Sequence, residues 1–176
     1  MNKITILLIS VFITCGCEKK IDFTYRPSEK QKLANKIRKE SAIQLKNELG
    51  LIPCGSGGQM MGQIKMLALA FDYHKPLDIE TGRELLIASV EKFTAEINSN
   101  EAIRPYLGNY PFGPKNIEIE IYIQDQNGED FGPKKLSIIT ARKGLLRYKI
   151  HTPDNCALET VHEETFEEAI KRVNSR

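Results

Sequence analysis

The chain has 176 residues, 41% of them hydrophobic and 27% charged, with 25 Lys and Arg against 23 Asp and Glu. That length suits one compact domain better than two. A formal charge of +2 excludes the strong basic excess of a dedicated nucleic-acid binder. The 12 glycines and 8 prolines are too few for wholesale disorder or a collagen-like chain.

The first segment reads Met1-Asn2-Lys3, an apolar run from Ile4 to Ile13, then Thr14-Cys15-Gly16-Cys17. A run of about ten residues is too short to span a bilayer core of roughly 30 Å. A positive start, a short apolar stretch and a small residue before a cut form a secretory signal. With Gly16 followed by Cys17, residues 1–17 resemble the signal of bacterial lipoproteins, although Thr14 stands where family members usually carry an aliphatic residue. The resemblance implies that residues 1–16 are removed and that Cys17 becomes a lipidated N-terminus carrying acyl chains such as palmitate. It implies no other cofactor. Each buried CH2 contributes about 0.8 kcal/mol of anchoring, so two or more chains hold a protein stably on a membrane. Glu18, where an inner-membrane member would carry Asp, implies the outer membrane, with the domain facing the periplasm.

Export leaves two other cysteines, Cys54 and Cys156, in an oxidising compartment. An even remainder suggests a disulfide, which across 102 positions would stabilise the fold by about 4–5 kcal/mol. The other reading is two separate buried thiols.

Residues 17–27 form the lipidated Cys and a polar tether ending at Pro27, and residues 28–176 a single domain. Ser28 with Gln31 makes a capping box that opens a helix, and Gly50 stops it. Leu33, Ile37, Leu45 and Leu49 give that helix one apolar face, while six basic residues against three acidic ones make it net +3. Such a face either lies against anionic lipid or is simply solvated. Residues 51–63 read as a glycine-rich connector, and Ile64–Phe71 as a strand buried on both faces or a short buried helix. Asp78 caps a second helix with Ile79, Gly82, Leu86, Val90, Phe93 and Ile97 on one side, ending at Asn98–Asn100.

The period then changes from helical to alternating. Ile117, Ile119, Ile121 and Ile123 oppose Glu118, Glu120, Tyr122 and Gln124, a half-buried strand. Leu136–Ala141 makes another, Arg142-Lys143-Gly144 a tight turn, and Leu146, Tyr148 and Ile150 the buried face of a last strand. Thr160 with Glu163 reads as a capping box opening a final helix through Phe166, Ala169, Ile170 and Val173. The expected fold is α+β: a mainly antiparallel four-stranded sheet in the order α-β-α-β-β-β-α, with helices packed on it.

Chemistry is sparse. Gly55-Ser56-Gly57-Gly58 lacks the Lys-Ser or Lys-Thr that a phosphate loop needs. His74, His151 and His162 never pair at helical ligand spacing, so no metal site is expected. His151 belongs on the outer strand face beside Arg147 and Lys149, and His162 in an exposed first helical turn. No catalytic residue stands out. The segment Arg104 to Phe112 concentrates aromatics, two prolines and a charge in a connection, so Arg104, Tyr106, Tyr110 and Phe112 form the candidate binding surface. The expected function is therefore a non-enzymatic, membrane-anchored binding or envelope-maintenance module for a protein or envelope partner. The alternative is a small periplasmic enzyme with a site near the Gly55–Gly58 loop and His74.

Overall fold

The computed structural model describes residues 26–152 and 157–175. The expected signal segment and lipidation site Cys17, and Cys156 of the expected disulfide, lie outside the described residues. The chain runs α1 (Glu29–Leu49), β1 (Ile52–Gln59), β2 (Met66–Tyr73), α2 (Ile79–Ser99), β3 (Ile117–Ile123), β4 (Ile138–Arg142), β5 (Leu145–His151), β6 (Leu158–Thr165) and α3 (Phe166–Asn174).

Local sequence sets the helix ends. Ser28 and Gln31 exchange side-chain-to-backbone bonds at the start of α1, and Gly50 closes it in the left-handed conformation at φ 72°. Asp78 accepts from the Thr81 amide to cap α2. Across the Arg142–Leu145 turn, Lys143 and Gly144 both take positive φ, as a two-residue hairpin turn with the right twist requires.

The six strands form one sheet in the order β1-β2-β3-β4-β5-β6. Only β2 and β3 pair in parallel, because α2 carries the chain back across the sheet between them. All other neighbours are antiparallel. The three helices pack on one face. Ile37 and Leu45 of α1, and Leu86, Val90, Phe93 and Ile97 of α2, are buried against Leu67, Leu69, Phe71, Ile119, Ile121, Ile139 and Leu146 of the sheet. No described helix is long and apolar enough to cross a membrane.

A single α+β domain is what the sequence implies, but the four-stranded sheet is corrected to a mixed sheet of six strands. The extra strands stand at its two edges. The glycine-rich stretch taken as a connector is β1, paired with β2 from Ile52↔Asp72 to Gln59↔Met66 with one irregularity after Pro53. Backbone bonding to β2 recruits it, since its residues bury almost nothing. The stretch from Thr160, taken as a helix start, is β6, which pairs with β5. The capping box that opens α3 lies five residues later, between Thr165 and Glu168. The apolar run of β2 is buried on one face only, with Leu67, Leu69 and Phe71 inward and Ala68 and Ala70 outward.

Candidate functional site

With every described helix on one side, no described element covers the other side of the sheet, and strand register arranges its side chains in rows. One row runs Gly57, Ala68, Glu118, Arg142, Leu145. The next runs Gly55, Ala70, Glu120, Thr140, Arg147, Glu163. A third runs Asp72, Tyr122, Ile138, Lys149. Alternation of side chains along each strand dictates this: the isoleucines of β3 face the helices, so its glutamates must face out.

The rows divide the face by charge. Asp72, Glu118 and Glu120 stand on β2 and β3; Arg142, Arg147 and Lys149 stand on β4 and β5. Across these rows lies a depression of about 350 Å³, lined on β1 and β2 by Gly57, Ala68 and Ala70 and on β3 to β5 by Glu118, Glu120, Thr140, Arg142, Arg147 and Lys149. Arg142 reaches Glu118 at 2.8 Å, and Arg147 reaches Glu163 at 2.5 Å. Neither Glu120 nor Lys149 has an oppositely charged partner among the described residues; Glu120 stands near Tyr122, whose phenol is pushed up first by burial and then by that carboxylate.

Beside the third row, at the edge of the sheet, Cys54 carries a free, exposed thiol. Burial first, then the neighbouring Asp72 and Glu120 carboxylates, push that thiol up to about 11. The described residues that flank Cys156, Thr152 and Ala157, bond to each other at the far end of the β5–β6 hairpin. The expected Cys54–Cys156 pair includes Cys156, which lies outside the described residues.

A second hollow of about 400 Å³ lies at the end of the same face, lined by Tyr122, Gln124, Asp130, Ser137, Ile138 and His151. There His151 pairs with Asp130 through Nδ1. His151 thus stands on the outer strand face as expected, two residues beyond Lys149. His74 donates through Nδ1 to the Gln124 carbonyl at 3.0 Å and closes the end of β2. His162 departs from the expectation of an exposed helical turn: it sits on β6 with its ring 5.4 Å from that of Tyr148. Among the described residues, no three His, Cys, Asp or Glu side chains converge to hold a metal ion.

The aromatic segment before β3 folds back on the domain. Phe112 is buried, and Asn98 ties its backbone at both N–H and C=O. Arg104 stacks over the Tyr110 ring at 4.6 Å, with Tyr110 49% exposed, so these two form the outward part of that surface. Tyr106 packs partly against the core. The loop proposed to host an enzymatic site, Gly55–Gly58, is strand β1, and its Gly57 carbonyl accepts from Arg38 of α1 at 2.6 Å.

Sequence reasoning missed a buried ionic group on the helix side. Arg83 of α2 lies against Glu164 of β6, with Tyr148 donating to the same carboxylate at 2.9 Å. Although burial works the other way, the bonds from Arg83 and Tyr148 hold Glu164 below the usual carboxylate range. Burial, then the bond to Glu164, raises Tyr148 far above an ordinary phenol. Reading Val161–Glu164 as strand would have shown the signal, since His162 and Glu164 then share the inward face of Tyr148. Comparisons with protein-family models, curated proteins and solved structures found no match.

Proposed function

We propose that this chain is a lipid-anchored protein of the bacterial cell envelope, acting as a non-enzymatic binding module. Cys17 carries the lipid, residues 18–27 form the tether, and the domain binds an envelope component through the uncovered face of its sheet. One observation carries the binding reading: three helices on one side leave a sheet face whose opposed charges enclose a depression. Pockets that take small ligands are concave, with a few convergent polar groups, and this one has that form. The Gly16-Cys17 sequence after a short apolar run supports the anchor. With several acyl chains the anchor would be stable, and the lipid would then serve for attachment rather than chemistry.

The test of the anchor is labelled palmitate fed to a bacterial host expressing the full chain. The wild type incorporates label and fractionates with membranes, whereas Cys17→Ala does neither. A Cys17→Ala chain that still labels and stays with the membranes overturns the anchor.

A further inference from the structure

We infer that the depression on the uncovered sheet face binds a short zwitterionic peptide of two or three residues with both termini free. This rests on the binding-module reading and names its ligand. The charge pattern decides the class. A carboxylate wall on β3 and a cationic wall on β5 face each other across Thr140 of β4. A polyanion placed over Lys149 would meet Glu118 and Glu120, and a polycation placed over Glu120 would meet Arg142 and Arg147. A ligand carrying one ammonium and one carboxylate satisfies both walls at once.

Spacing decides the length. The β3 and β5 backbones are two strand spacings apart, about 10 Å. In a single amino acid the ammonium and carboxylate flank one carbon and cannot reach both walls. An extended chain covers about 3.3–3.6 Å per residue, so two or three residues bridge them.

Two further observations fit. Glu120 and Lys149, the two wall charges without an opposite partner among the described residues, both line the depression. They can engage a ligand without breaking an existing ion pair, whereas Arg142 and Arg147 already hold Glu118 and Glu163. Between the walls, in the row of Glu120 and Arg147, β4 raises only the short side chain of Thr140, so a peptide backbone can cross there. Thr140, between the walls, offers a hydroxyl that both donates and accepts, as a peptide group requires.

Calorimetric titration of the full chain in detergent tests this with trialanine, free alanine, and trialanine blocked at both ends as the acetyl amide. Trialanine binds with Kd below about 1 mM, and the blocked peptide and free alanine bind at least about tenfold more weakly. Glu120→Gln and Lys149→Gln each weaken trialanine at least about fivefold, with unchanged melting temperature. No heat with trialanine overturns the inference, as does equal affinity for the blocked peptide or indifference to both variants. A chain that sediments as a dimer, loses that state on Lys149→Glu and gives no trialanine heat overturns it in favour of a second copy on this face. Palmitate labelling is read separately, so loss of peptide binding with the label intact strikes the ligand and not the anchor.

Discussion

Arg83 Nε donates to Glu164 Oε1 at 2.6 Å across 81 positions of sequence, with both side chains 2% exposed. The pair is the centre of a bracket. Glu80 takes the Arg83 Nη1 at 2.6 Å, Tyr148 shares the Glu164 oxygen, and Arg172 of α3 approaches its other oxygen at 3.3 Å. Four elements, α2, β5, β6 and α3, are thereby joined at the β6 edge of the sheet.

Removing Arg83 leaves the buried Glu164 with only Tyr148, Arg172 and His162 beside it, at a cost of up to about 3–5 kcal/mol. Arg83→Met should therefore lower the urea midpoint sharply, and the double variant Arg83→Met with Glu164→Gln should recover part of the loss. A single variant within about 1 kcal/mol of wild type would show that the pair is not needed to hold α2 on β6.

The same carboxylate gives an acid limb. Its folded pKa lies below the unfolded value, so its stabilisation is fully present above the unfolded pKa and is lost as pH falls through the folded one. Urea midpoints should hold down to about pH 5, then fall below the ordinary Glu value of about 4.3. Glu164→Gln should start lower and fall less steeply. Parallel profiles for the two proteins would assign the acid limb to other carboxylates.

These contacts also mark where the sequence stops being legible. Both long helices could be drawn from Ser28 with Gln31, Gly50 and Asp78, because caps are made by neighbours in the chain. Strands β3 and β5 showed in their alternation. Strand β1 did not, because Gly55, Gly57 and Gly58 have no side chains to alternate and its pairing is dictated by the edge of β2. Strand β6 was hidden by two overlapping cap patterns, Thr160 with Glu163 and Thr165 with Glu168. Only the free edge of β5 decides between them. The uncovered face followed the same rule: the outward glutamates of β3 were legible, but Ala68 and Ala70 read as core because alanine fits a packed site or a bare floor equally well.

The Cys54 thiol supplies a pH test of the acidic half of that face. A thiol held up to about 11 is almost wholly protonated at neutral pH, and only the thiolate alkylates. Reaction with iodoacetamide should be slow at pH 7 and climb through pH 10 despite the residue's exposure. Asp72→Asn and Glu120→Gln should each shift that rise to lower pH by removing a neighbouring negative charge. A rise centred near the ordinary value of about 8.5, or one insensitive to both variants, would mean that Cys54 is not set among these carboxylates.

Neighbouring glycines of β1 separate fold from floor. A Cβ on Gly58 would stand 2.9 Å from the Met66 carbonyl oxygen and 3.2 Å from Leu67, against backbone and core that cannot step aside. Gly58→Ala should thus push β1 off β2 and destabilise by about 1–3 kcal/mol. On Gly57 the added methyl would meet only the Ala68 Cβ, at 3.8 Å, an ordinary contact facing the depression. Gly57→Ala should leave thermal stability unchanged or raised by about 0.4–1 kcal/mol, since alanine has fewer unfolded conformations to lose. That methyl stands two strands outside the β3 wall, so trialanine affinity should be unchanged. Melting curves on the two variants, with calorimetry on Gly57→Ala, separate these effects. Equal destabilisation by both would mean that β1 tolerates no side chain on either face, and lost affinity in Gly57→Ala would place the ligand over β1 and β2 rather than between β3 and β5.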